Sequence, residues 1–345
     1  MKFEAVTIKD IAKALGLSTS TVSRALRDSY EISPETKQLV LEYARGINYR
    51  PNPIALSLKE KRSRSIGVVV SEIANSFFSQ AINGIESIAS TKGYHVIITQ
   101  SLESYEREVM NMQFLSSRSV DGCLISVSSE TTDFSHISDL STRGMPIVCF
   151  DRTIEDIVSH KVTVDNFKGA YDATSHLIQS GFRKIGFLAN AEVLSITRER
   201  QAGYRKALED NALPFDPAYV QYCPHGGMRY DEVEEAMQLM IQQTRKPDAV
   251  FASSDKLTTN CLRYFRKEKI NVPKDIAVIG FSNLDLTDLI SPSLSVVRQP
   301  AFEMGRLAAE MLIRMIESKK QDPGFENRVL PTELLIRESS IRPLQ

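Results

Sequence analysis

At 345 residues the chain is long for one core, and at roughly 150 residues per domain two or three folding units are expected. Hydrophobic residues make up 42%, but no apolar run reaches the about 18 residues of a membrane span, and Lys2, Glu4, Lys9, Asp10 and Lys13 interrupt any secretory signal core. A cytoplasmic protein is therefore expected. The net charge of −1 conceals a division: residues 1–64 carry twelve Lys and Arg against seven acids, a balance of +5, which leaves −6 for the rest. A basic head on an acidic body suits a polyanion-binding module joined to a separate body.

In the head, Ile8, Ile11, Ala12 and Leu15 fall on one face at helical spacing, and Thr7 with Asp10 can form a capping box. Gly16 ends this helix. Ser18 and Thr21 cap a second helix over 18–26, whose Val22, Ala25 and Leu26 face inward and leave Thr19, Ser20, Ser23 and Arg24 outside. Helix, short glycine-containing turn and helix form the helix-turn-helix pattern. A third helix opens at Ser33-Pro34-Glu35, with a hydroxyl cap, proline at the first helical position and an acid where the helix dipole favours it. Its stripe is Leu39, Val40, Tyr43, Ala44 and Ile47. The polar second helix is then free to enter a major groove; the alternative is an ordinary three-helix bundle.

Residues 51–64 read as a hinge. Asn52 to Lys59 is helix-compatible but shorter than the about 12–15 residues that an isolated helix needs in water, so it orders only against a partner. Leu58 beside Lys59 suits a minor-groove wedge, with the apolar side chain prying a base step and the cation meeting the negative groove. A linker whose leucines pack on the body is the alternative.

Beyond the hinge, short apolar runs alternate with helical patterns. Runs at 65–70, 94–98, 122–127 and 146–150 recur as runs at 184–189, 249–252 and 276–281, with Ile66-Gly67 and Ile185-Gly186 opening the two halves alike. Strand, helix and strand in succession demand parallel sheets buried on both faces, and two such halves place their carboxyl strand ends around a common crevice. Neither half carries G-x-G-x-x-G after its first strand, and G-x-S-x-G and H-E-x-x-H are absent. Cys123, Cys149, Cys223 and Cys261 stand singly, which argues against a zinc site or a disulfide framework, and the five histidines lack matching motif partners. Phe77-Phe78, Asp151, Arg200 and Asp255 fall near strand ends or on the following helices. Aromatic faces with carboxylates and one guanidinium suit a polyhydroxylated ligand.

Val6 to Ala12, Gly16-Leu17-Ser18, Thr21 to Leu26, and Tyr49-Arg50-Pro51-Asn52 through Lys59 resemble the headpiece and hinge of the lactose/galactose repressor (LacI/GalR) family. The body resembles its periplasmic-binding-protein-like regulatory domain at Asn75 to Phe78, Phe150-Asp151-Arg152, Arg200 to Tyr204, Ser254-Asp255, Gly280 to Asn283, Gln299-Pro300 and Arg337 to Ser340. The resemblance spans essentially the whole chain. It implies an all-α helix-turn-helix headpiece (1–50), a hinge helix and linker (51–64) and an α/β body (65–345) of two doubly wound parallel-sheet subdomains. One subdomain is expected at about 65–163 and 295–325, the other at about 164–294 and 326–345.

The same resemblance assigns base contacts to Thr19, Ser20 and Arg24, phosphate contacts to Thr7, Thr21 and Tyr49, and the wedge to Leu58 with Lys59 beside it. Phe77, Phe78, Asp151, Arg200, Asp255, Ser282 and Gln299 would line the effector pocket, with Met228 at an aromatic stacking position. Leu56 departs from the Arg of many relatives, and Ser282 from their Asp. Leu194 and Ile196 replace polar groups of purine-responsive relatives, which favours a sugar or sugar derivative.

The implied function is a ligand-responsive transcriptional regulator, a repressor that binds a palindromic operator as a homodimer. It would be no enzyme and would need no cofactor, metal or membrane. The helix near Phe77 to Ile88 and its neighbour near Met110 to Leu115 are expected at the dimer interface. The rivals are a cytoplasmic sugar-binding protein or enzyme with an incidental helical extension, and a nonspecific nucleoid protein.

Overall fold

Thr7 and Asp10 close a reciprocal cap at the first helix: the Thr7 N–H donates to Asp10 Oδ2 (2.8 Å) and the Asp10 N–H to Thr7 Oγ1 (3.4 Å). This starts α1 (Ile8–Leu15), and Gly16 at φ 64° ends it by returning its N–H to the Ala12 carbonyl. Ser18 accepts from the Thr21 N–H and Ser33 from the Thr36 N–H to start α2 (Thr19–Ala25) and α3 (Pro34–Gly46). The computed structural model describes residues 6–49, 62–155, 157–242, 246–318 and 324–342, and the chain divides into two units at Ser63/Arg64.

Ile11, Ala12, Val22, Ala25, Val40 and Ala44 form the head's core, with Tyr43, Ile47 and Tyr49 packed against it. Leu39 was expected in that stripe but is 49% exposed. It lies about 100° around the helix from Val40, beyond the seam that Val40 and Ala44 fill.

In the body, β1 (Ser65–Val70), α4 (Ser76–Thr91), β2 (His95–Gln100), α5 (Tyr105–Ser117), β3 (Gly122–Ile125), α6 (Ser135–Thr142), β4 (Ile147–Phe150) and β5 (His160–Val164) build the first lobe. The second lobe follows with α7 (Asn166–Gln179), β6 (Ile185–Ala189), α8 (Ser195–Asp210), β7 (Val220–Tyr222), α9 (Tyr230–Ile241), β8 (Ala249–Ala252), α10 (Asp255–Lys267), β9 (Ala277–Phe281) and β10 (Ser295–Arg298). The chain then returns through α11 (Ala301–Glu317) and β11 (Asn327–Leu330) and crosses again to β12 (Glu333–Leu335).

The sheets run β11-β5-β4-β3-β1-β2 and β12-β10-β9-β8-β6-β7. Among the described residues every strand pair is parallel except β10 with β12. Central strands such as β3, β4, β8 and β9 are buried at every residue, which explains their uninterrupted apolar sequences.

The later crossings differ from the expected boundaries. Residues 295–298 pair with β9 (Val297 opposite Phe281) and belong to the second lobe, because this run is buried as an interior strand. Conversely, 327–330 pair with β5 in the first lobe. The first lobe therefore regains the chain at α11 and keeps it through Leu330.

The repeated Ile-Gly has a packing reason. Gly67 on β1 lies against Leu115 of α5, and Gly186 on β6 lies against Met240 of α9, so a side chain at either would overlap the covering helix. A closer approach joins α4 to α11, where Gly84 meets the Phe302 carbonyl and Gly305 the Ala81 carbonyl. All four cysteines are free and buried.

Candidate functional site

The crevice is assembled from strand ends and the helices that follow them. After β1, Asn75 accepts from the N–H groups of Phe77 (3.0 Å) and Phe78 (3.4 Å), capping α4 and delivering both rings to the cleft. The rings meet edge-on at 5.2 Å, and Phe78 meets Phe150 at 6.4 Å. Asp151 and Arg152 follow β4. From the second lobe come Asn190 after β6, Ile196 and Arg200 on α8, Ser254-Asp255 at the start of α10, Phe281 at the end of β9, and Gln299 after β10. Together these twelve residues line a cavity of about 40 Å³.

Arg200 is 2% exposed. Its Nε donates to Asn166 Oδ1 (2.8 Å), Nη1 to the Ser253 carbonyl (2.6 Å) and Nη2 to Gln299 Oε1 (3.2 Å). All three partners are neutral. Burial pushes the guanidinium down to about 10, although the nearby charges of Asp151, Glu199 and Asp255 oppose that fall.

Asp255 joins the lobes. Its Oδ1 accepts from Ser282 Oγ (2.5 Å) and the Asn283 N–H (2.7 Å), and its Oδ2 from the Phe77 N–H (3.3 Å) across the cleft. Burial raises its pKa above the ordinary carboxylate value while these three donors pull the other way. Asp151 is likewise raised by burial, opposed by Arg152, Arg200 and Ser126. Asp151 also sits at φ 61°, a left-handed conformation uncommon for a residue with a side chain and concentrated at functional sites. Further bridges between the lobes are Gln80 with Asn283 (2.8 Å) and Lys256 with Glu72 (3.0 Å).

Arg152 is held differently. Nη1 and Nη2 donate to Glu103 Oε2 (2.6 Å) and Oε1 (2.8 Å) in a bidentate pair, and Nη1 also reaches the Val127 carbonyl (2.9 Å). Burial opposes ionisation of Glu103, but the Arg152 charge and hydrogen bonds, with the Ser129 N–H, hold its carboxyl below the ordinary value.

Of the expected pocket residues, Phe77, Phe78, Asp151, Arg200, Asp255 and Gln299 converge on this cavity. Ser282 and Met228 do not. Ser282 is fully buried behind Asp255, which it orients. Met228 is half-buried, follows the left-handed pair Gly226-Gly227 and does not line the cavity. Sequence reasoning did not assign Asn75, Arg152, Asn190, Ser254 or Phe281 to the pocket, and it used Ile196 only to separate effector classes. Asn75 was legible as a helix cap and Phe281 as a strand end, whereas Asn190 carries no local signal.

On the head, Thr19 and Ser20 are exposed at the start of α2. The Arg24 side chain, 53% exposed, pairs with Glu31 at 2.9 Å. Thr21 is half-buried with its hydroxyl 2.8 Å from that of Ser18, and the Thr7 hydroxyl donates to Asp10 Oδ2 (2.7 Å). Tyr49 packs half-buried on the head's core, and burial raises its hydroxyl's pKa. Leu58 and Lys59 lie outside the described residues. Among the described residues, no helix is long and apolar enough to cross a membrane.

Residues 7–52 match the family described as bacterial regulatory proteins, lacI family, and residues 174–340 the periplasmic binding protein-like domain. The chain is 32% identical over 336 residues to the HTH-type transcriptional repressor CytR of Escherichia coli (strain K12), covering 97% of this chain and 96% of that protein. It is 32% identical over 341 residues to the HTH-type transcriptional regulator RegA of Clostridium saccharobutylicum, covering 98% and 100%. A solved complex of the transcriptional regulator CelR with cellobiose superposes with a TM-score of 0.72 at 28% identity, covering 97% of this chain and 99% of that one. The capped helix pair on a three-helix head, the two parallel-sheet lobes around a polar crevice and these full-length similarities place the chain in the LacI family, as a ligand-responsive DNA-binding transcriptional regulator.

Proposed function

We propose that this regulator is a cytoplasmic repressor without catalytic activity, that it binds a palindromic operator as a homodimer, and that a sugar or sugar derivative controls it. The observation that carries the sugar reading is the cavity itself. Phe77 and Phe78 offer aromatic surface for the apolar side of a pyranose or furanose, while Asp151, Asp255, Arg200 and Gln299 offer the acceptors and donors that hydroxyl pairs require. Two similar proteins support it: CelR was solved with cellobiose, and a ribose operon repressor of Halalkalibacterium halodurans is 29% identical over 335 residues.

The cavity's about 40 Å³ holds a few waters and no sugar ring. A ring enters only as the lobes part, so occupancy and interlobe angle are linked, and the separation of the two hinges in a dimer would follow that angle. A coupling of about 1–3 kcal/mol is enough to change operator occupancy. Thr19, Ser20 and Arg24 read bases in this proposal, Thr7, Thr21 and Tyr49 meet phosphates, and Leu58 with Lys59 enters the minor groove. For the dimer, α4 and α5 supply the interface in this proposal, and α5 offers Met110 (66% exposed) and Phe114.

The test is fluorescence anisotropy with genomic fragments selected by the purified protein, titrated with a panel of sugars at fixed salt. A sugar that shifts operator affinity at least about fivefold supports the reading. Equal affinity for palindromic and bulk DNA, or an operator affinity that no sugar alters, overturns it.

A further inference from the structure

Arg152 lines the cavity, yet its charge is already answered. Glu103 accepts one N–H from each terminal nitrogen and the Val127 carbonyl accepts the second N–H of Nη1, which leaves the second N–H of Nη2 and that of Nε, the latter 3.9 Å from Asp151 Oδ2 and without a hydrogen-bond partner among the described residues. Those N–H groups can still donate to a neutral acceptor oxygen, but the positive charge that a phosphate or carboxylate would seek is already balanced by Glu103. Around the cavity three buried carboxylates, Glu103, Asp151 and Asp255, outnumber the two guanidiniums, and Glu199 adds a further negative charge beside Arg200. The Asn283 and Phe77 N–H groups can only donate, one to each Asp255 oxygen, an arrangement that favours the anion. Glu103 and the preceding Leu102 both take left-handed backbone (φ 63° and 52°), strain that the fold retains while seating this carboxylate on Arg152.

We infer that the cavity takes uncharged sugars and rejects their phosphorylated or carboxylate counterparts, and that Glu103 is the specificity-determining residue that sets this preference by neutralising Arg152. The inference rests on the reading of the crevice as a sugar site. An anion placed there would lose its hydration and meet like charges at short range, with the Arg152 charge already balanced by Glu103. Without Glu103, the Arg152 charge is left unbalanced and can pair with an anion.

Isothermal titration calorimetry of the full-length protein tests this with matched probes: glucose, glucose 6-phosphate and glucuronate; ribose and ribose 5-phosphate; cellobiose and cellobiose 6-phosphate. Wild-type protein is expected to bind a neutral member at least about tenfold more tightly than its anionic counterparts, a difference of about 1.4 kcal/mol. Glu103→Gln is expected to narrow that ratio about tenfold or invert it, and Glu103→Gln with Arg152→Gln to restore the neutral preference, since both charges leave together. An anionic probe that binds wild type as tightly as its neutral partner overturns the inference while leaving the sugar reading intact. An unchanged ratio in folded Glu103→Gln removes Glu103 from the role. Silence from every probe overturns the inference together with the sugar reading. Should Glu103→Gln fail to fold by circular dichroism, the wild-type ratio and the double variant decide.

Discussion

The Arg200 guanidinium carbon lies 3.7 Å from the centre of the Phe281 ring, so one face of the cation is covered by the end of β9 while its edges are bonded to Asn166, Ser253 and Gln299. A planar cation pinned on a ring and at its nitrogens is pre-organised, and it presents a fixed edge to whatever enters the cavity.

Arg200→Lys keeps a positive charge but has neither the plane nor the fork. Effector binding is expected to weaken by about 2–5 kcal/mol, because Asn166 and Gln299 lose a buried partner as well. Calorimetry with the sugar identified in the operator assay checks this, and wild-type affinity in the lysine variant would remove Arg200 from the binding role.

Effector affinity should depend on pH in a stated direction. Burial raises the pKa of Asp151 and Asp255 above the ordinary value of 3.8. Hydroxyls that donate to these carboxylates favour the ionised form, so the free protein holds more protons than the complex and binding releases them. Affinity is then expected to fall on acidification from about pH 7 toward pH 4. Titrations in buffers of different ionisation enthalpy will detect the released protons; a flat profile would count against both groups.

Stability should respond to His176, whose ring lies 2.7 Å from Ser340 Oγ near the carboxyl end of the chain. Burial holds its pKa below the ordinary 6.5, with Ser340 opposing. The neutral ring's contribution is present above about pH 6.5, the unfolded value, and is lost as pH falls toward and through the lower folded value, because only the unfolded chain protonates freely in that window. His176→Gln is expected to flatten the Tm profile there.

Arg24→Ala is expected to weaken operator binding by about 1–3 kcal/mol and to relax base preference at one position per half-site. Its partner Glu31 is an exposed acid at 2.9 Å, and such pairs contribute about 0–1 kcal/mol. Glu31→Gln should therefore leave the fold intact and free Arg24 for DNA. Binding-site selection followed by sequencing distinguishes the two variants.

Gly84→Ala places a Cβ against the Phe302 carbonyl and within 2.9 Å of the Arg306 nitrogen. Backbone on both sides cannot yield as a side chain does, so a loss of about 1–3 kcal/mol or more in chemical denaturation is expected. Wild-type stability would mean that α4 and α11 are free to separate.

Local rules carried the head almost entirely, because Thr7, Gly16, Ser18 and Ser33 each mark a helix end by a hydrogen bond within a few residues of themselves. Seven strands were legible as apolar runs, while β5, β7, β10, β11 and β12 were not, and six of the expected pocket residues meet because strand ends converge in any doubly wound sheet. What escaped depends on distant pairing. Whether 295–298 joins β9 or the first sheet is settled by long-range register, and Ser282 reads as a ligand-facing residue until its hydroxyl is seen to serve Asp255. The Glu103–Arg152 pair, 49 positions apart, leaves no trace in spacing.

The polypeptide passes between the lobes at Val164–Asn166, Arg298–Ala301 and Leu330–Glu333, so each lobe is sewn from separated stretches of chain. No single cut in the gene yields either lobe whole. A nonsense codon beyond β10 would strip the first lobe of α11 and β11 and leave β10 without β12, so damage at the far carboxyl end reaches an architecture begun more than two hundred residues earlier.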